Sequence, residues 1–138
     1  MSPRLIVLVE DDVNLRQSIA LILQRAGYLV TATDCATRAI NIIQSGHYHM
    51  LITDINMPDA RNILIPKILG THPFLSIVIL TDQSFAEIDK EYKLQSAHYV
   101  IKPIAPERLL DYVETIMGDK GKSNHNHSDS KPVNQNRN

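Results

Sequence analysis

Three short aliphatic runs, Leu5–Val9, Met50–Thr53 and Ser76–Leu80, constrain this chain more than anything else in it. Each is too short for a helix, and none alternates apolar with polar residues. Such runs read as strands buried on both faces, the pattern of a parallel sheet. A sheet of that kind needs helices on both sides, so the sequence between the runs must supply them.

It does so with clear punctuation. Asp12 is placed to cap a helix over Val13–Ala26, whose inward stripe is Leu15, Ile19, Ile22, Leu23 and Ala26, with Gly27 as its stop. Leu29–Thr33 reads as a second strand. Asp34 then reads as the cap of a helix over Ala36–Gln44 that buries Ala36, Ala39, Ile40 and Ile43 and ends at Gly46. After Pro58 a weaker helix is predicted over Asn62–Leu69. Pro66 inside it removes a hydrogen bond unless it falls in the first turn, which predicts a short or kinked element. Ser84–Leu94 is charged and thinly amphipathic, with only Phe85, Ile88 and Tyr92 inward, and is the helix expected to move most. His98–Ile101 is a fifth strand. Pro106 opens a last helix to Met117, which buries Leu109, Leu110, Val113, Ile116 and Met117.

The order is β-α repeated five times, and right-handed crossovers leave few ways to wind it. With 138 residues the chain suits one domain, burying roughly two-thirds of its unfolded surface. That domain is expected over residues 1–118. Gly, Ser, Asn, His and Lys dominate afterwards, so 119–138 reads as a disordered polar tail, where His125 and His127 are weak ligands.

A net charge of −1 gives no footprint for nucleic acid or an anionic membrane surface. The single cysteine, Cys35, excludes an internal disulfide and a zinc pattern, and reads as a small residue starting a helix. Leu5–Val9 stops at Glu10-Asp11-Asp12, too short for a signal-peptide core or a membrane span, and a cytoplasmic location is expected.

The chemistry lies at the strand ends. Glu10 and Asp11 follow the first strand, Asp54 the third, Thr81 the fourth, and Lys102-Pro103 the fifth. On its own Asp54 reads as a turn residue before Pro58, Asp12 as a cap, Thr81 as a strand end and Lys102 as a solvated charge. A parallel sheet, however, brings these ends to one edge, where open α/β sheets bind ligands. Carboxylates converging there repel one another unless a cation joins them, and hard oxygen donors suit Mg²⁺. A carboxylate beside such a cation, an ammonium and a hydroxyl is equipped to attack phosphorus and form an aspartyl phosphate.

Over about residues 3–117 the chain resembles the receiver domain of two-component response regulators, of the stand-alone type. Glu10-Asp11, Asp54 with Met57-Pro58, Thr81, Tyr99 and Lys102-Pro103 carry the likeness, in order. The resemblance implies a doubly wound, flavodoxin-like (βα)5 fold with strand order 2-1-3-4-5. It implies that Asp54 is the phosphoacceptor. Mg²⁺ would be held by Asp11, Asp54, the backbone carbonyl of Asn56 and, more loosely, Glu10. Lys102 and Thr81 would contact the phosphoryl group, Tyr99 would turn with Thr81, and Pro58 and Pro103 would be structural. It further implies a histidine kinase or phosphotransfer protein as donor and a protein target downstream. The output face would combine the helix over 84–94, the fifth strand and the last helix, with homodimerisation on phosphorylation as one outcome. Such a protein is not an enzyme in the ordinary sense, but assists its own phosphorylation and dephosphorylation.

Several positions depart from the family's pattern. The usual glycine in the loop after the phosphoacceptor is Asn62, a residue that tolerates positive φ. The usual small residue after the threonine is Asp82, which is bulkier and carries like charge toward an incoming phosphodonor. The usual Gly-Ala before the fifth strand is Gln95-Ser96. The competing reading is a degenerate receiver that binds partners without phosphorylation, but no acidic or lysine position is lost. A haloacid-dehalogenase-like hydrolase would need a second aspartate where Asn56 stands, and a flavin carrier would need a phosphate loop after the first strand.

Overall fold

The computed structural model describes residues 3–82 and 97–119. The expected helix over Ser84–Leu94, the Gln95-Ser96 departure and the polar segment from residue 120 onward lie outside the described residues. Five parallel strands, β1 (Leu5–Val9), β2 (Leu29–Thr33), β3 (Met50–Asp54), β4 (Ser76–Thr81) and β5 (Ala97–Ile101), form one sheet in the order β2-β1-β3-β4-β5. Four α-helices are described: α1 (Val13–Arg25), α2 (Ala36–Gln44), α3 (Ile65–Thr71) and α4 (Pro106–Met117). This is the doubly wound fold that the resemblance implies.

Alternation along each strand divides the core in two. Val7, Val9, Leu51, Ile77 and Ile79 face α2, α3 and the turn before α3, while Ile6, Leu8, Met50, Ile52, Val78 and Leu80 face α1 and α4. The central strands β1, β3 and β4 are almost wholly buried, whereas β2 and β5 are edges and partly exposed. Removing a large side chain here, as in Ile52→Ala, should cost about 2–5 kcal/mol through lost burial and the cavity left behind.

The helix starts follow local chemistry, with one exception. The Asp12 side chain accepts from the Leu15 amide at 3.1 Å and caps α1, a bond worth about 1 kcal/mol. Asp34 does not cap α2. Cys35 holds that position without a side-chain bond, and Asp34 pairs instead with Arg38 one turn along, at 3.5 Å. The Thr33 hydroxyl accepts from the Cys35 amide at 3.2 Å, a bond to the cap residue itself and not to the first turn of the helix.

The segment after β3 bears out a short helix and gives its cause. Ala60–Leu64 is wound as a π-helix, with the Leu64 amide donating to the Asp59 carbonyl at 2.9 Å, and Pro66 then sits in the first turn of α3. In α-geometry the Pro66 ring would strike the Asn62 carbonyl, and the wider turn relieves that clash. The left-handed residue of this loop is Asp59, at φ 65°, and not Asn62, which lies inside the π-helix. Among the described residues no helix is long and apolar enough to cross a membrane.

Candidate functional site

Strands β3 and β4 each run one residue beyond the sequence-based bounds, so Asp54 and Thr81 are the last residues of their strands. Alternation then decides which side chains meet. Glu10 shares the face of Ile6 and Leu8, Asp54 that of Met50 and Ile52, and Lys102 that of Val100. Three functional groups from β1, β3 and β5 therefore rise on the same side of the sheet at its carboxyl edge. The strand order reverses between β1 and β3, the place where sheets of this kind bind ligands.

There the Lys102 ammonium bridges two carboxylates, donating to Asp54 Oδ2 at 2.9 Å and to Glu10 Oε1 at 3.2 Å. Asp54 is 5% exposed and Glu10 fully buried. The other Asp54 oxygen, Oδ1, accepts from the Asn56 backbone amide at 2.9 Å, and Glu10 Oε2 accepts from the Asp12 amide at 3.1 Å. Burial raises the Glu10 pKa and the nearby Asp54 charge adds to this, although the Asp12 amide and Lys102 oppose it. For Lys102 partial burial lowers the pKa, but Asp54 and Glu10 outweigh it and the net shift is upward. The lysine is thus held charged by the acids it joins.

Asp11 is exposed at the rim, and one oxygen each from Glu10, Asp11 and Asp54 lie within 4.8 Å of one another. All three are hard donors, and the exposed member leaves room for water, which fits a small divalent cation such as Mg²⁺. Opposite them Thr81 is fully buried, and its carbonyl takes the Lys102 amide at 2.8 Å, tying the end of β5 to that of β4. Tyr99 lies opposite Ile79 in the β4–β5 register, on the face that Ile79 and Thr81 share. Pro58 is exposed just past the loop, and the Lys102–Pro103 peptide is cis.

The structure adds two contacts that sequence reasoning missed. Arg16 donates to the Glu10 carbonyl at 2.8 Å and braces the turn between β1 and α1. The available signal was its place one turn past the Asp12 cap, since helical side chains lean toward the N-terminus. Asp82 is exposed, but its Oδ1 accepts from the Asn56 side-chain amide at 3.0 Å. No spacing within one segment would have revealed a bond between two loops.

The architecture and its acid-lined carboxyl edge define a flavodoxin-like α/β protein with a metal-competent site at the topological switch point. Residues 6–114 match the response regulator receiver domain family, and the chain belongs to it. Receiver domains are the phosphoacceptor signalling modules of two-component systems. The chain is 28% identical over 112 residues to the response regulator protein FleR of Pseudomonas aeruginosa, covering 78% of this chain and 23% of that one. It is 29% identical over 115 residues to the transcriptional regulatory protein BasR of Escherichia coli, covering 81% and 51% respectively. It therefore spans about half of one of these relatives and about a quarter of the other. Among solved structures, the chemotaxis protein CheY4 of Vibrio cholerae superposes with a TM-score of 0.71 at 24% identity, covering 83% of this chain and 99% of that one, a likeness of fold.

Proposed function

We propose that Asp54 accepts a phosphoryl group and that the chain signals through the change this causes. The observation that carries the reading is the Lys102 ammonium bound to Asp54 beside Glu10 and Asp11, at the edge where the strand ends converge. One Asp54 oxygen would attack phosphorus. An oxygen–phosphorus bond forms, the donor–phosphorus bond breaks, and the leaving group departs with the electron pair. Lys102 would stay with the phosphoryl oxygens, and the Asn56 amide would hold the spectator carboxylate oxygen. Glu10, Asp11, Asp54 and the Asn56 carbonyl would hold Mg²⁺, which when bound neutralises phosphoryl charge. The donor is a phosphohistidine on a kinase or phosphotransfer protein, and the target is a protein.

The test is direct. Wild type and Asp54→Ala are incubated with a small phosphodonor and Mg²⁺ and weighed by mass spectrometry. Wild type should gain one phosphoryl group and Asp54→Ala none. Equal gain in both would sink the assignment.

The output reading rests on the β4–β5 register. Thr81 and Tyr99 share a face two residues apart, so drawing the Thr81 hydroxyl toward the new phosphoryl charge opens space beside Tyr99. The change would spread to β5, α4 and the segment over residues 84–94. Hydrogen exchange with and without beryllofluoride should show altered protection within residues 82–104. Unchanged protection at saturating occupancy counts decisively against it.

A further inference from the structure

The parallel register between β3 and β4 continues past both strands as a side-chain bond. Asp54 pairs with Leu80, and the Ile55 amide donates to the Leu80 carbonyl at 2.9 Å. Two residues further along each strand, at the same offset of 26, Asn56 Nδ2 donates to Asp82 Oδ1 at 3.0 Å. Both residues are exposed, so the bond spans the rim of the site and not its floor. Each end is coupled to the chemistry. The Asn56 amide grips Asp54 Oδ1, and Asp82 directly follows the buried Thr81, whose carbonyl receives the Lys102 amide.

This bond fixes a fourth carboxylate beside a site where two acids already share one lysine and a third, Asp11, lies close by. A freely rotating surface aspartate would spend its time in water, where its charge is screened. Tied to Asn56, the same charge stays at the rim, in the approach of any anionic donor. An amide–carboxylate bond open to solvent is also weak enough to be opened by a donor that brings its own hydrogen-bonding groups.

We propose that Asp82 is a donor-selecting residue: held at the rim by the Asn56 side chain, it slows transfer from small dianionic phosphodonors to Asp54. The proposal rests on the phosphoacceptor reading of Asp54. A donor of lower charge, or a protein donor whose docked surface engages Asp82, meets less opposition. Asn56 acts through Asp82 and is a positioning residue.

Phosphorylation rates decide it, measured at saturating Mg²⁺ and matched ionic strength with acetyl phosphate as the dianionic donor and phosphoramidate as the singly charged one. Asp82→Ala should accelerate the acetyl phosphate reaction about tenfold, equivalent to about 1.4 kcal/mol, and the phosphoramidate reaction distinctly less. Asp82→Asn keeps the acceptor for Asn56 but loses the charge, and should recover most of that gain. Asn56→Ala frees Asp82 and should give a smaller acceleration. The double variant Asn56→Ala/Asp82→Ala should be no faster than Asp82→Ala alone, the non-additivity of a residue that acts through its partner. Added salt should shrink every difference. Rates within about twofold of wild type in both Asp82 variants, or equal acceleration of the two donors, overturn the proposal and leave Asp54 as phosphoacceptor. If wild type gains no phosphoryl group on Asp54 from either donor, the phosphoacceptor reading itself falls, and the role of Asp82 with it.

Discussion

Charged groups gather at both edges of the sheet, and the two gatherings are built in opposite ways. At the carboxyl edge one ammonium, Lys102, is shared between the carboxylates of Asp54 and Glu10, with Asp11 close by. At the amino edge two donors converge on one carboxylate. The Tyr28 hydroxyl donates to Asp119 Oδ2 at 3.1 Å, and the Arg4 guanidinium lies 3.7 Å from Asp119 Oδ1. The first arrangement has more anionic charge than its lysine neutralises and so favours a further cation. The second closes on itself and fastens the end of α4 to the chain ahead of β1 and β2. Acid clusters thus differ by the balance of donors to acceptors, and that balance separates a binding edge from a structural one.

The largest effect that could break this comparison is on metal affinity. Asp11→Ala removes an exposed carboxylate that lies outside the core. It should weaken Mg²⁺ binding by at least the 10–100-fold typical of losing even an outer-shell partner. The apo protein should melt where wild type does. Titration calorimetry checks the first expectation and thermal unfolding the second; undiminished affinity would mean that the carboxyl edge is as closed as the amino edge.

Lys102→Ala comes next. It leaves Glu10 buried without its ammonium and Asp54 without one of its two bonds, and should cost the apo protein about 1–3 kcal/mol. The ammonium occupies the same two carboxylates that Mg²⁺ would use, so its removal should strengthen Mg²⁺ binding and let saturating Mg²⁺ restore much of the lost stability. Chemical denaturation with and without Mg²⁺ tests both. A variant that loses stability and also loses Mg²⁺ affinity contradicts the picture of one cation substituting for another.

The pH dependence sharpens the same point. Burial holds the Glu10 pKa above its ordinary value, so the folded apo protein binds a proton there more tightly than the unfolded chain does. That contribution to stability is complete below the unfolded pKa of Glu10 and is lost as pH rises through the raised folded value. Protons and Mg²⁺ would then compete for one carboxylate. Mg²⁺ affinity should fall on acidification into that window, with proton release on binding visible in calorimetry across buffers of different ionisation enthalpy. Glu10→Gln should abolish that share of the release.

Much of this was legible in the sequence because the decisive signals are local. Leu5–Val9, Leu29–Thr33, Ala36–Gln44 and Pro106–Met117 have the bounds that apolar pattern and caps predict. Glu10, Asp54 and Lys102 meet because alternation along three parallel strands puts them on one face, which follows once the strands are known. What stayed hidden depends on tertiary geometry. The sequence places Asp34 as a cap, but it pairs with Arg38 and Cys35 holds the cap position. Positive φ falls on Asp59, while Asn62 lies inside a π-helix. Fully buried Glu114 sits on the apolar side of α4, where the stripe of Leu109, Val113 and Met117 gave no hint of an acid. The Asn56–Asp82 bond joins two loops whose register exists only in the sheet.

The smallest expected effect tests whether the two edges are independent. Tyr28→Phe keeps the buried ring and removes only the hydroxyl that donates to Asp119. The cost should be about 1 kcal/mol, an ordinary net hydrogen bond, since Arg4 still faces the Asp119 carboxylate. Burial, then Asp119, raise the Tyr28 pKa, so the phenol stays protonated far into the alkaline range. The stability it contributes is therefore complete below the ordinary tyrosine value of about 10 and is lost only as pH rises beyond it. The difference between Tyr28→Phe and wild type should accordingly be flat from about pH 6 to pH 9. Mg²⁺ affinity at a given pH should not distinguish the two proteins. Combined with Lys102→Ala, the stability losses should add to within about 0.5 kcal/mol, because the substitutions lie at opposite ends of the sheet and share no partner. A larger coupling, or a Tyr28→Phe protein with altered Mg²⁺ affinity, would show that strain passes along β1 from the amino edge to Glu10. The closed cluster would then help to set the open one.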